Sequence, residues 1–350
     1  MQKAEQERRN TAGRRFIGIT MGCPVGVGPE IILRFFAEQK FTGRFIPVVI
    51  GDIGQLQHCA RELHLALDIV PWMPDVAVAE GKLLVFEPPA DTGYRLDAPL
   101  LRWGKPDRNT GLASLAYIKE AVSLARKGKL DGIVTGPIAK HAIRAAGCSF
   151  PGHTEMLASL CGVKNYGMMM AGKQLKVSLV TIHTPLSQVS RQLSREEILR
   201  IINLTGQTLN RDFALKQPHI AVAGLNPHGG ETGLFGEEEI KIIAPAVKAA
   251  VSDRWQVSGP HPPDTVFFNA LANRYDAVVA MYHDQGLIPF KLLHFKNGVN
   301  LTMGLPIIRT SVDHGTAYDI AGKGIASALS LAGAFSMAEQ MIGNRKAYRE

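Results

Sequence analysis

Residues Tyr275–Gly286 read YDAVVAMYHDQG: a short Val/Ala run that opens at once into a polar loop with a histidine. Unbroken apolar runs of this length, bounded by turn residues, are typical of strands buried on both faces of a sheet. The same design occurs upstream in LKVSLVTIHTP (Leu175–Pro185) and QPHIAVAGLNPHGGE (Gln217–Glu231). RFIGITM (Arg15–Met21), FIPVVIGD (Phe45–Asp52), LLVFE (Leu83–Glu87) and DGIVTGP (Asp131–Pro137) read as further strands. Helical patterns lie between them. PEIILRFFAEQ follows a Gly/Pro loop, GLASLAYIKEAVSLARKG (Gly111–Gly128) ends in basic residues and a glycine, and a last helix is expected from Gly324 to about Arg345. Strands alternating with helices predict an α/β protein with a largely parallel sheet and helices on both faces.

The chain has 350 residues, so two domains or one large α/β domain are expected. With 46% hydrophobic and 20% charged residues it is a globular composition, not a disordered or fibrous one. The first fifteen residues, MQKAEQERRNTAGRR, lack the apolar core of a secretory signal and read as a disordered tail. No apolar run approaches the length of a membrane span, so no membrane partner is expected. The net charge is +8, but no basic run or aromatic–basic interleaving accompanies it. Nucleic acid is therefore not an expected partner, whereas an anionic small substrate is. Cys23, Cys59, Cys148 and Cys161 form no C-x-x-C pair and read as reduced thiols of a cytoplasmic protein.

In open α/β folds, ligands bind where strands end and loops begin. Three of the strand ends carry a histidine: His183 in VTIHTP, His228 in LNPHGGE and His283 in MYHDQG. One such residue alone would read as a satisfied loop histidine. Three at equivalent places suit one divalent metal with positions left open for substrate. Asp284, beside His283, and Asp264, in GPHPPDTVF, are placed to orient a ligand or touch substrate. Asp264 reads equally well as a helix N-cap.

A second group is cationic and polar: Lys291, Asn300 and Arg309, with His153 and Thr154 of PGHTEML. Such donors make a cradle for phosphate or carboxylate. The glycine-rich loop MGCPVGVGPE (Met21–Glu30) matches neither G-x-G-x-x-G nor a P-loop. A strand-to-helix turn that needs positive φ explains its glycines equally well.

Taken in order, ITMGCPVGVGPE, VTGPIAK, GHTE, NPHGGE, GPHPPDTVF, MYHDQGLIPFK and GVNLTMGLPIIRTSVDHGTAYDIAGKG resemble the 4-hydroxythreonine-4-phosphate dehydrogenase family of pyridoxal phosphate biosynthesis. The resemblance covers nearly the whole chain after the tail. It implies two α/β/α domains of the isocitrate/isopropylmalate dehydrogenase type, with the active site in the cleft between them. The expected division is 16–145 with 321–350 in domain 1, and 146–320 in domain 2, which would hold the metal ligands and the dimer interface. It implies a homodimer with a divalent metal (zinc, magnesium, cobalt or similar) bound by His183, His228 and His283 at the interface. The family's substrate-binding residues fall on His153, Thr154, Lys291, Asn300 and Arg309, with Asp264 a further candidate. DHGTAYDIAGKGIA (Asp313–Ala326) also resembles the segment of isopropylmalate dehydrogenases that contacts the adenosine half of NAD. It puts His314 and Asp319 forward as residues for NAD or NADP, unless AGKG is only a helix-entry turn. One departure stands out: the family usually carries an acidic residue where this chain has Cys23.

The implied reaction is the NAD- and metal-dependent oxidation of 4-phosphooxy-L-threonine at C3. The resulting 3-keto acid decarboxylates to 3-amino-2-oxopropyl phosphate. Asp284 is the candidate base, with an orienting role on His283 as the alternative. Related substrates are 4-phospho-D-threonate, 4-phospho-D-erythronate and cis-dihydrodiol carboxylates. A metal-dependent hydrolase, a phosphate acyltransferase and a phospho-acid binding protein without turnover are the readings from other classes.

Overall fold

The computed structural model describes residues 13–349, except 40, 42, 75 and 77–80. The expected tail therefore lies, up to residue 12, outside the described residues. The strands are β1 (Arg15–Thr20), β2 (Phe45–Ile50), β3 (Ile69–Pro71), β4 (Leu83–Phe86), β5 (Gly132–Thr135), β6 (Gly167–Ala171), β7 (Lys176–Leu179), β8 (His219–Ala223), β9 (Gln256–His261), β10 (Ala277–Ala280), β11 (Val299–Met303) and β12 (Arg309–Val312). The helices that matter below are α1 (Gly28–Glu38), α2 (Arg108–Arg126), α3 (Lys140–Ala145), α4 (His153–Cys161), α5 (Leu186–Gln192), α6 (Arg195–Phe213), α7 (Pro263–Leu271), α8 (His283–His294) and α9 (Leu329–Arg349).

The described residues form two compact units, 13–162 with 306–339, and 163–305 with 340–349. In the first unit the strands run in the order β3-β4-β2-β1-β5-β12, and every pairing is parallel. Ile17, Ile19, Val48, Val49, Ile50, Ile133 and Val134 are fully buried, as the continuous apolar runs require. In the second unit the order is β11-β6-β7-β10-β8-β9. Here β7, β10, β8 and β9 are parallel, while β6 pairs antiparallel with both β7 and β11. The expected parallel sheet is thus mixed in this unit. The short connection after Ala171 can only return the chain antiparallel, because a parallel return needs a crossover. Val177, Leu179, Val278, Ala280 and Phe290 centre the core of this unit. No helix among the described residues is long and apolar enough to cross a membrane.

The glycine-rich loop is a strand-to-helix turn from β1 to α1. Gly22 has φ +74°, and a Cβ there would lie 2.4 Å from the carbonyl oxygen of Pro137. The last helix starts later than its sequence pattern suggests, at Leu329 instead of Gly324. Gly322 and Gly324 have φ of +74° and +71°, which a right-handed helix does not accept.

The end of the chain is fixed by an ion pair within the second unit. Asp212 of α6 is 1% exposed and receives Arg345 in a two-point contact at 2.5 and 3.1 Å. Arg211 adds a second two-point contact at 2.9 and 3.0 Å. Asp212→Ala removes the carboxylate that the buried Arg345 guanidinium meets at two points and should cost about 3–5 kcal/mol. Arg345→Ala leaves Asp212 paired with Arg211 and should cost clearly less. Urea unfolding midpoints of the two variants check the order, and equal losses would refute it.

Candidate functional site

Strands β7, β10 and β8 are adjacent and parallel, so their C-terminal ends bring the loops of His183, His283 and His228 to one edge of the unit. The loops are cross-linked beneath the histidines. Val180 N donates to Ala280 O at 2.9 Å, and Thr181 donates to Met281 O through N and Oγ1 at 3.1 and 2.8 Å. The buried Gln285 accepts from Met281 N and donates to Gly224 O, both at 2.7 Å. A single amide thus joins the turn before His283 to the start of the His228 loop.

The rings of His183 and His283 lie 6.1 Å apart between centroids. His283 Nδ1 is 2.6 Å from Asp284 Oδ1. In the neutral ring this places the proton on Nδ1 and leaves the Nε2 lone pair for a ligand. His228 lies instead with its ring 6.2 Å from Phe235. Among the described residues, no three His, Cys, Asp or Glu side chains gather closely enough to hold one ion. The donor chemistry nonetheless fits a divalent metal: imidazoles at neighbouring strand ends, one already oriented by a carboxylate.

The His228 loop has an unusual backbone. His228, Gly229, Gly230, Glu231 and Thr232 all have positive φ, at 54°, 68°, 78°, 42° and 55°. For L-residues each left-handed position costs roughly 1–2 kcal/mol, and three of the five are not glycine. Such a run persists only where the surroundings impose it. The carboxylate of Glu239, 3% exposed, lies beneath it. Its Oε1 accepts from Leu225 N and Asn226 N at 2.7 Å each, and its Oε2 from Asn226 Nδ2 at 3.0 Å.

Asp264 is exposed in the first turn of α7, where a carboxylate favours the helix dipole. It is not the N-cap; Pro262 holds that position.

The anion-binding candidates divide between the units. In the first, Arg309 of β12 is 3% exposed and donates through Nε and Nη2 to Thr135 Oγ1 at 3.1 and 2.7 Å. Burial pulls its guanidinium down to about 9, opposed by Glu155, so it stays cationic at neutral pH. His153 opens α4. Burial, and then the charges of Arg309 and Lys140, push its pKa well below the ordinary value, so its ring is neutral. Its buried Nε2 has no hydrogen-bond partner. Thr154 follows it, 4% exposed, in the first helical turn. A buried cation, an unspent imidazole nitrogen and a helix N-terminus suit a phosphate. Lys291 and Asn300 belong to the second unit, on α8 and β11. Lys291 Nζ lies 5.7 Å from the centre of the Phe295 ring.

His314 and Asp319 are exposed in the first unit, on a loop rather than a helix entry. His314 Nδ1 is 2.9 Å from Gly315 O. The loop is pinned to α1, where Arg34 donates to Gly324 O and the buried Glu30 accepts from Ala326 N at 2.7 Å. Cys23 is fully buried, with Sγ 3.5 Å from Tyr318 Oη, among Val25, Ala139 and Ala142. Burial pushes its thiol pKa up, so a neutral group stands where the resemblance leads one to expect an acid.

Sequence reasoning passed over Gln285 and Glu239. Gln285 sits inside the quoted MYHDQG motif, which was a usable signal. Glu239 lies in the acidic run GEEEI and looks there like any solvated residue.

Loops gathered at the ends of parallel strands in one unit, and a buried arginine near an unpartnered imidazole nitrogen in the other, are the equipment of an α/β enzyme. The chain belongs to the family of the pyridoxal phosphate biosynthetic protein PdxA, whose profile matches residues 44–338. It is 51% identical to the 4-hydroxythreonine-4-phosphate dehydrogenase of Desulforapulum autotrophicum, over 94% of this chain and 96% of that one. It is 41% identical to the D-threonate 4-phosphate dehydrogenase of Pectobacterium atrosepticum, over 93% and 99% of the two chains. The crystal structure of 4-hydroxythreonine-4-phosphate dehydrogenase from Klebsiella pneumoniae superposes with a TM-score of 0.84 at 40% identity, covering 94% of this chain and 99% of that one. The chain is an oxidoreductase of the dehydrogenase class, which displaces the hydrolase, acyltransferase and binding-protein readings.

Proposed function

We propose that the chain oxidises 4-phosphooxy-L-threonine at C3 with NAD(P)⁺, in a reaction that depends on a divalent metal. The 3-keto acid formed loses CO₂ to give 3-amino-2-oxopropyl phosphate. The observation that carries this reading is the 51% identity, over 94% of the chain, to a relative of that name. Arg309, His153 and Thr154, joined by Lys291 and Asn300, would hold the phosphate. Binding energy spent there, away from C3, orients the reacting carbon. Asp284 would accept the alcohol proton through one carboxylate oxygen while the other keeps His283 aligned. Asp264 would contact the substrate. A divalent ion on His183, His228 and His283 would supply Lewis acidity at the C3 oxygen and, later, toward the charge left as CO₂ departs. His314 and Asp319 would hold NAD(P)⁺, which would supply the hydride acceptor. The family setting favours a cytoplasmic enzyme.

A second reading, D-threonate 4-phosphate as substrate, is favoured by the Pectobacterium relative. NADH formation with 4-phosphooxy-L-threonine, 4-phospho-D-threonate and 4-phospho-D-erythronate, assayed side by side, separates the two. A kcat/KM higher for either phosphosugar acid than for the amino acid would overturn the first reading.

The active form would be a homodimer that completes the metal site. Supporting this, Ile288 and Leu292 of α8 and its C-cap residue Phe295 lie at i, i+4 and i+7 and are 62%, 83% and 76% exposed. An apolar stripe of this kind normally marks an interface. If His153 and His283 serve one site from opposite chains, two inactive variants should complement. Refolding His153→Ala together with His283→Ala makes about half the dimers mixed, and one site in each mixed dimer carries neither change. About a quarter of wild-type activity should return. No return would show that both residues reach the site from one chain.

A further inference from the structure

We propose that Glu239 is the positioning residue that sets the His228 loop in its ligand-presenting form. This inference rests on the reading of His228 as a metal ligand.

The loop from Gly224 to Gly236 contains the five consecutive left-handed residues His228–Thr232. Bonds within the loop include Gly229 N to Asn226 O, Leu234 N to Glu231 O and Phe235 N to Gly230 O, at 3.1, 3.2 and 3.1 Å, and they close the turn on itself without fixing it to the rest of the unit. The Glu239 carboxylate takes up both backbone N–H groups at the entry to the turn and the side-chain amide of Asn226. Two glycines make room for it. A Cβ on Gly230 would stand 2.6 Å from Glu239 Oε2, and one on Gly224 3.1 Å from Oε1. Glu239 begins a π-helical turn, Glu239–Ile243, a local irregularity often found at functional sites.

The neighbouring residue extends the clamp. Glu238 accepts from Asn226 Nδ2 at 2.8 Å and from Ser190 Oγ at 2.7 Å. Ser190 lies on α5, the helix that follows the His183 loop. Asn226 therefore donates to both glutamates, and the loops of two expected metal ligands share one hydrogen-bonded network. Gln285 ties the third loop to Gly224 O. Glu239 acts on the backbone of the loop and not on the ion. Its role is to make the left-handed turn the resting state, so that His228 need not be ordered when the ion arrives.

Glu239→Gln is nearly isosteric, but it places an amide nitrogen against either Asn226 Nδ2 or the backbone N–H pair, donor against donor. The probe is Co²⁺ alone, titrated into the purified protein and followed by its d–d absorption. Glu239→Gln should weaken Co²⁺ binding about 10- to 100-fold. The spectrum at saturation should match wild type, because the ligands are unchanged. In metal-free protein, amide exchange at Leu225 and Asn226 should rise at least about tenfold while β8 and α7 keep wild-type exchange. If Glu239→Gln does not fold, Glu239→Asp, which retains the acceptors on a shorter arm, takes its place in the same comparison. Co²⁺ affinity within about twofold of wild type, where His228→Ala abolishes binding, would overturn the positioning role alone. Normal Co²⁺ binding by His228→Ala would instead overturn the metal reading and the inference with it. Unchanged exchange at Leu225 and Asn226 overturns the clamp whatever the metal does.

Discussion

His228→Ala should lose at least about a thousandfold in kcat/KM and bind no stoichiometric metal, with little change in stability. Loss of the Lewis acid removes several kcal/mol of transition-state stabilisation, and each 1.36 kcal/mol is roughly a factor of ten in rate. Stability should barely move, because the His228 side chain is exposed and its aromatic neighbour, Phe235, is itself 46% exposed. Exposed substitutions of this kind usually fall within about 0.5 kcal/mol. Alanine also inherits the same left-handed backbone, so the strain is carried over unchanged. Metal content by elemental analysis, turnover by NADH absorbance and a urea melt test the three parts separately. Full metal occupancy with normal turnover would remove His228 from the site.

Arg309→Ala should lower kcat/KM about ten- to over a hundredfold, the roughly 1.5–3 kcal/mol of a charge-assisted contact. The loss should largely vanish with the dephosphorylated substrate, since the guanidinium would then have had no anion to hold. Arg309→Lys should recover only part of it. Lysine keeps the charge but cannot both bond Thr135 Oγ1 through two nitrogens, as Arg309 does, and present a planar fork to an anion. Equal losses with phosphorylated and unphosphorylated substrate would assign Arg309 to holding β12 and β5 in register rather than to binding.

Much of this was legible along the chain. The strands β1, β2, β5, β7, β8 and β10 are apolar runs that end in polar loops, and each formed where its pattern placed it. Others were hidden for identifiable reasons. The strand β9, QVSGPH, is too polar and too rich in Gly and Pro to resemble a strand, and it is one only because it pairs with β8 at the sheet's edge. The runs at β11 and β12 carry Asn300 and Arg309 and drew notice as binding motifs, not as strands. Nothing in composition marks Gly162–Val163, Leu305–Pro306 or Glu339–Gln340, where the chain passes between its two units.

The site divides in the same way. The sequence by itself determined the α/β framework of mostly parallel strands, the three histidine loops at strand ends and the cationic residues, because strand periodicity, turn residues and motif order are local properties of the chain; the antiparallel β6 was not among them. Tertiary structure alone decided that His183 meets His283 while His228 lies against Phe235, and that the buried Arg309 lies near enough to His153 to push its pKa down. It also decided that a glutamate in an unremarkable acidic run sits beneath a left-handed turn. Burial, charge coupling and backbone strain are set by residues far apart in sequence, or on different elements, and no local pattern encodes which of them will meet.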